Sequence, residues 1–207
     1  MGRKSLAGER RAQILDALAR CISRHGLQGS PIKTIAKEAG VQPSILYHYF
    51  KDRDEMIEEL VDKLVDNLMD SYSARIRGYK EPEKRFEKGL EFLFSPEMQN
   101  TEPGGFYYSC IVEAKRNPRV QRSMTKLFRR YRAAVLQLLI ETGKTAGLSS
   151  REAKDLASML VAIQDGVALQ RHMDGTNISM ERMHHLTRSF IRLYLDEKTK
   201  RQRRKTP

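Results

Sequence analysis

The sequence predicts an all-α fold. Apolar residues recur at helical spacing through almost the entire chain, and no stretch sustains the apolar–polar alternation of a half-buried strand. The punctuation agrees, because the periodic segments open at serine, aspartate or proline and close near glycine.

The first helix is expected over Glu9 to His25, where Ile14, Leu15, Leu18, Cys21 and Ile22 form one broad apolar stripe before Gly26. Arg10, Gln13, Arg20 and Arg24 make a basic edge on its other side, which a solvated surface explains equally well. In "GSPIKTIAKEAG", Ser30 suits the N-cap, Pro31 the first helical position, and Ile32, Ile35, Ala36 and Ala39 the buried side. Gly40 ends this short helix, and Pro43 opens a third one that carries "PSILYHYF". Asp52 and Glu55 form a capping box that starts a long fourth helix, with Met56, Ile57, Leu60, Leu64 and Leu68 inside.

Pro82 begins a fifth helix with Phe86, Leu90, Leu93 and Phe94 buried, and "SPEMQNTEPGG" after it is expected to be a surface loop. "FYYSCIVEAKRN", "PRVQRSMTKLFRRYRAAVLQLLIETGKTAG" and "SSREAKDLASMLVAIQDGVALQRHMDG" supply three further helical elements, and "SMERMHHLTRSFIRLYLDEK" the last. Residues 198–207 hold six basic side chains and no apolar one, the composition of a disordered tail.

A chain of 207 residues with 40% apolar composition can build an ample core, or a small module joined to a larger one. Its formal charge of +12 points to an acidic partner, nucleic acid or an anionic membrane surface, although the tail supplies half of that excess. No apolar run approaches the length of a membrane span and none follows the basic N-terminus, so a cytoplasmic protein without a membrane partner is expected. Cys21 and Cys110 read as buried reduced thiols.

No nucleophile elbow, zinc-protease motif or glycine-rich phosphate loop is present, so no catalytic residue and no cofactor is expected. His184 and His185 are adjacent on a helix, point about 100° apart and cannot chelate a metal together.

Two short helices joined by a tight turn, at about 32–51, have the size of a helix-turn-helix, whose second helix enters the major groove of double-stranded DNA. On that helix Leu46, Tyr49 and Phe50 lie at i, i+3 and i+4 and face a small core, while Ser44, Tyr47, His48 and Lys51 share the outer side. Phenol and imidazole tips can donate to phosphate oxygens, Lys51 adds charge, and Arg53 stands at the start of the next helix. Ile45, at the edge between the two faces, offers a base no hydrogen bond, only contact with a thymine methyl.

"TIAKEAGVQPSILYHYFKDRDEMIEEL" closely resembles the helix-turn-helix of the tetracycline-repressor (TetR) family of bacterial transcriptional regulators, and the resemblance covers roughly residues 9–69. It implies that Tyr47, His48, Tyr49, Lys51 and Arg53 hold phosphates and that Pro43, Ser44, Ile45 and His48 face bases, with Thr34 and Gln42 in the same contact set. Gln42, Pro43 and Ile45 stand where the family often has Ser, Lys and Thr, and Pro31 where it usually has Ser or Thr.

The expected organisation is thus a three-helix DNA-binding domain over 9–69, a larger helical-bundle regulatory and dimerisation domain over 70–197, and the tail. By the same resemblance, residues 149–196 would form a homodimer, and the chain would be a repressor released from a near-palindromic operator by a small-molecule effector. Phe92, Tyr107, Phe128 and Gln164 are the candidate effector contacts. The alternative is a helical protein that binds a partner or a membrane surface through its basic tail.

Overall fold

A computed structural model describes residues 3–99 and 105–203. Ten α-helices make up the fold among the described residues, with no strand: α1 (Arg3–His25), α2 (Ile32–Glu38), α3 (Pro43–Tyr49), α4 (Arg53–Ile76), α5 (Pro82–Leu93), α6 (Pro96–Gln99), α7 (Phe106–Glu113), α8 (Pro118–Glu141), α9 (Ser150–Asp174) and α10 (Met180–Arg203). They form two compact units, one of Met1–Asn67 with Asn100–Phe128, the other of Leu68–Gln99 with Arg129–Pro207.

In the first unit α1 buries Ile14, Leu15, Leu18, Cys21 and Ile22, as the stripe requires. It begins at Arg3 rather than Glu9, because its first two turns have no apolar face to announce them and contain no proline to stop them. The turn between α2 and α3 is a Schellman motif: Gly40, at φ +66, donates its N–H to the Lys37 carbonyl, and Val41 donates to the Ala36 carbonyl. Ser30 does not cap α2, since Pro31 holds the N-cap position. Ser30 is fully buried instead, and its hydroxyl donates to the Gly26 carbonyl at 2.8 Å. At the start of α4 the Asp52 carboxylate accepts the Glu55 N–H at 2.8 Å, while the Glu55 carboxylate takes the Lys51 N–H, one residue before the expected N-cap.

The N-terminal part of the first unit ends at Asn67, close to the expected 69, and a second segment, up to Phe128, joins it. Arg119, at the start of α8, grips Asp52 at 2.7 Å and Glu58 at 2.9 Å, Lys126 reaches Asp62, and Asn117 donates to Asp54. Pairs so far apart in sequence leave no trace in any local periodicity.

In the second unit α5, the later turns of α8, α9 and α10 enclose Phe86, Leu90, Leu93, Leu138, Leu139, Leu160 and Ile191. Ser149 and Glu152 cap α9 reciprocally. The expected loop at 95–105 starts as α6, and its residues 100–104 lie outside the described ones. Residues 198–203, read as tail, continue α10, where Lys198 pairs with Glu152 and holds that carboxyl down at about 2. Composition missed this, because a helix already under way extends readily through lysine and arginine. Residues 204–207 lie outside the described ones.

His184 of α10 is buried against Phe94, with its Nε2 without a partner, and Glu87 and Glu91 of α5 and His185 and Arg188 of α10 lie around it. Burial, seconded by His185, holds its pKa below the ordinary 6.5. The unfolded chain therefore takes up this proton first as pH falls, so the stability is complete above about pH 6.5 and declines below it. Thermal melts should show the midpoint falling as the pH drops below about 6.5 in the wild type, and less so in His184→Leu. Equal slopes would remove this assignment.

Candidate nucleic-acid interface

α2 and α3 have seven residues each, too few to be stable as isolated helices. Apolar anchors supply part of their support: Ile35 and Ala36 from α2 and Leu46 and Phe50 around α3 are all 2% exposed or less. Two arginines supply another part. Arg11 of α1 donates to the Tyr49 carbonyl at the end of α3, lies 4.2 Å from the Phe50 ring centroid, and is itself held by Glu59 of α4. Arg53 donates to the carbonyls of Leu27 and of Ser30, the latter at 2.9 Å, and so fixes the loop that leads into α2.

Arg53, expected to hold phosphate, thus also supports the main chain. Helix ends leave carbonyls without partners, and the Arg53 guanidinium serves those of the α1–α2 connection. Arg11 was missed because nothing in its local sequence distinguishes it from the other arginines of α1.

The other positions sort as the periodicity predicts. Gln42, Pro43, Ser44, Ile45, Tyr47, His48 and Lys51 are exposed, Thr34 is half-buried, and Leu46 and Phe50 are inside. Tyr49 is the intermediate case, half-buried, with the His48 ring edge-on to it at 5.0 Å.

The charges reinforce the outer face. Arg20 and Arg24 of α1 clasp Glu38 of α2 at 2.6 and 2.9 Å, and Arg20 above all holds its carboxyl below the usual range. The Asp52 carboxyl is likewise depressed, first by the Glu55 N–H and then by Arg119. These two carboxylates near the helix-turn-helix are therefore matched by arginines. Lys33, Lys37 and Lys51 are exposed, and among the described residues none of their ammonium groups forms an ion pair with a carboxylate, although the Lys51 charge also helps depress Asp52. The arrangement suits phosphate neutralisation around a polar helix face.

A second candidate site lies inside the second unit. Leu68, Met69 and Tyr72 of α4, Phe92 and Leu93 of α5, and Tyr131, Ala134, Val135 and Leu138 of α8 line a narrow apolar cleft whose free interior has room for about one water molecule. The rings of Tyr72 and Phe92 are 5.8 Å apart, and burial pushes the Tyr72 hydroxyl up to about 12. Tyr131 donates to Gln164 Oε1 at 3.1 Å. Of the four sequence candidates, Phe92 lines this cleft and Gln164 backs it. Tyr107 and Phe128 belong to the first unit, where their rings lie 6.2 Å apart, and neither lines the cleft. Tyr72 and Tyr131 went unnoticed because three helices distant in sequence bring the lining together. Among the described residues, no group of three or more His, Cys, Asp or Glu side chains could hold a metal ion, and no helix is long and apolar enough to cross a membrane.

Comparison with known families decides the assignment. Residues 14–60 match the model "Bacterial regulatory proteins, tetR family", and residues 82–196, more than half of the chain, match "BetI-type transcriptional repressor, C-terminal". The chain belongs to the TetR family. It is a DNA-binding transcriptional repressor, and its family is one of regulators, not enzymes.

Among its relatives, the HTH-type transcriptional regulator BetI of Rhizobium meliloti (strain 1021) is 25% identical over 90% of this chain and 89% of its own. The HTH-type nicotine-responsive transcriptional repressor HdnoR of Paenarthrobacter nicotinovorans is 25% identical over 91% and 95%. Two solved structures share the TetR fold: a Pseudomonas aeruginosa PAO1 protein with TM-score 0.83 and 19% identity, covering 94% of each chain, and a Saccharomonospora viridis protein in complex with choline, with TM-score 0.73 and 22% identity over 89% and 96%. The alternative of a protein acting through its basic C-terminal segment is not favoured by these matches.

Two substitutions should separate contact from support. Lys51→Ala is expected to reduce the slope of log affinity against log salt by about one, with little change in melting temperature. Arg53→Ala is expected to lower the melting temperature and DNA affinity together, because it frees the α1–α2 loop. If Arg53→Ala shifted only the salt slope, Arg53 would be a phosphate ligand alone.

Proposed function

We propose that this TetR-family repressor acts in the bacterial cytoplasm as a homodimer on a near-palindromic operator and is released by a small organic effector bound in the α4–α5–α8 cleft. The observation that carries the DNA half is the exposed face of α3, built from Ser44, Tyr47 and His48 and flanked by Gln42, Pro43, Ile45 and Lys51. Tyr47, Tyr49 and Lys51 hold phosphates, Ser44 and His48 face base edges, and Thr34 lies beside them on α2. The recognition domain spans about 9–69, and regulation and dimerisation fall to 70–197.

Dimerisation is supported by apolar surface on the last two long helices. α10 exposes Leu186, Phe190 and Leu193 at i, i+4 and i+7, and α9 exposes Leu169 and Met173 one and two turns beyond Gly166, where added atoms would meet open space. A second copy of the same surface covers this stripe under two-fold symmetry, which sets two recognition helices against successive major grooves.

The effector cleft is lined by no charged side chain, and Tyr72, Phe92 and Tyr131 present aromatic rings. Such rings hold quaternary ammonium groups, the chemistry of the choline carried by the Saccharomonospora viridis neighbour. Release requires the effector to bind the DNA-incompetent state more tightly. α8 is a route for it, since Tyr131, Val135 and Leu138 line the cleft and Arg119 of the same helix grips Asp52 and Glu58 of α4.

Sedimentation velocity with an operator selected from random DNA tests the reading. The wild type should sediment as a dimer that binds a two-fold site, and Phe190→Asp should yield monomers with much weaker operator binding. A monomeric wild type, or full operator affinity in a monomeric variant, would overturn the dimer. Choline should displace the operator and raise the melting temperature, less so in Phe92→Ala. Failure of choline alone would overturn the quaternary-ammonium assignment and leave the DNA half standing.

A further inference from the structure

We infer that Ile45 reads a thymine methyl group, so that each operator half-site carries a thymine at one fixed position of the major groove. The inference rests on the DNA-binding role proposed for α3 and supplies the chemistry by which that helix selects its sequence.

Successive helical residues turn by about 100°. Taking Leu46, 1% exposed, as the inward direction, Ser44 and His48 lie nearly opposite it, Tyr47 falls on one flank and Ile45 on the other. The outward surface is therefore asymmetric. Tyr47, 58% exposed, ends in a hydroxyl, whereas Ile45, 40% exposed, presents only hydrocarbon.

Hydrogen-bonded readout has few sources here. On and just before α3, Gln42, Ser44, Tyr47 and His48 have exposed side chains that can donate to or accept from a base edge, and Pro43 has neither a polar side chain nor an N–H. On docking, the Ile45 surface loses water and needs an apolar surface in return. Among base-pair edges the major groove offers one alkyl group, the C5 methyl of thymine. The branch at Cβ restricts the Ile45 rotamers, so its methyl groups meet the groove at a defined position. A flexible side chain would blur that position; a polar one would favour a different base.

Uracil isolates the effect, because it keeps every hydrogen-bonding group of thymine and removes only the methyl. The operator is selected from random duplexes with the full chain, and each thymine of a half-site is then replaced in turn, with affinity read by fluorescence anisotropy at fixed salt. At one thymine of the half-site uracil should weaken binding about fourfold, the effect of one buried methyl. Ile45→Ala should bind the thymine and uracil operators equally, and Ile45→Val should retain a reduced preference. Equal melting temperatures for the three proteins would show that the change is local.

Uracil tolerated at every position would overturn the inference. So would a thymine preference undiminished in Ile45→Ala, which would assign the methyl contact to another side chain. A chain that selects no sequence at all would instead bring down the DNA-binding role of α3, and this inference with it.

Discussion

Seven residues are too few for a helix to hold itself in water, and this chain must hold two such helices at a fixed angle. Everything proposed for the outer face of α3 depends on that constraint being met. It is met from outside the helices: Leu46 and Phe50 anchor one side, Gly40 turns the chain, and the guanidinium groups of Arg11 and Arg53 take up main-chain carbonyls at Tyr49, Ser30 and Leu27. Arginine suits this work because its planar fork stays charged and donates in several directions at once.

The same arginines shape the charge of the surface. Glu38, Asp52, Glu55, Glu58 and Glu59 each face an arginine of α1 or α8, which offsets the negative charge around the helix-turn-helix. Individually, such half-exposed pairs stabilise little. Among the described residues they leave the ammonium groups of Lys33, Lys37 and Lys51 without a carboxylate ion pair. Through Arg119, α8 belongs to this network, and its later turns line the apolar cleft. A shift of that helix would be felt at Asp52, the residue that caps α4 just after α3.

Much of this was legible in the sequence. The interleaving of Leu46 and Phe50 with Ser44, Tyr47 and His48 follows from helical spacing alone, and so do the Gly40 turn and the Asp52 cap. What stayed hidden was long-range pairing. A basic residue at a helix start suits phosphate, but the hold of Arg53 on the Ser30 carbonyl, far back in the chain, has no local signature. Phe92 was recognisable as a candidate, but Tyr72 and Tyr131 join it only once α4, α5 and α8 pack, and Tyr107 and Phe128 pair elsewhere. The continuation of α10 to Arg203 was missed for a different reason: composition without apolar residues describes both a tail and the solvated end of a helix.

The central claim is that α3 presents Ser44 and His48 to base edges while its inner side stays packed on α1 and α2. Photo-crosslinking from a benzophenone side chain at position 48, on the full chain with its selected operator, tests that claim most directly. The account predicts a crosslink to one or two adjacent bases in each half-site, and none from the same group at Lys126, whose side chain pairs with Asp62. Crosslinks from position 126 but not from 48, or crosslinks from 48 spread evenly over unrelated DNA, would contradict it.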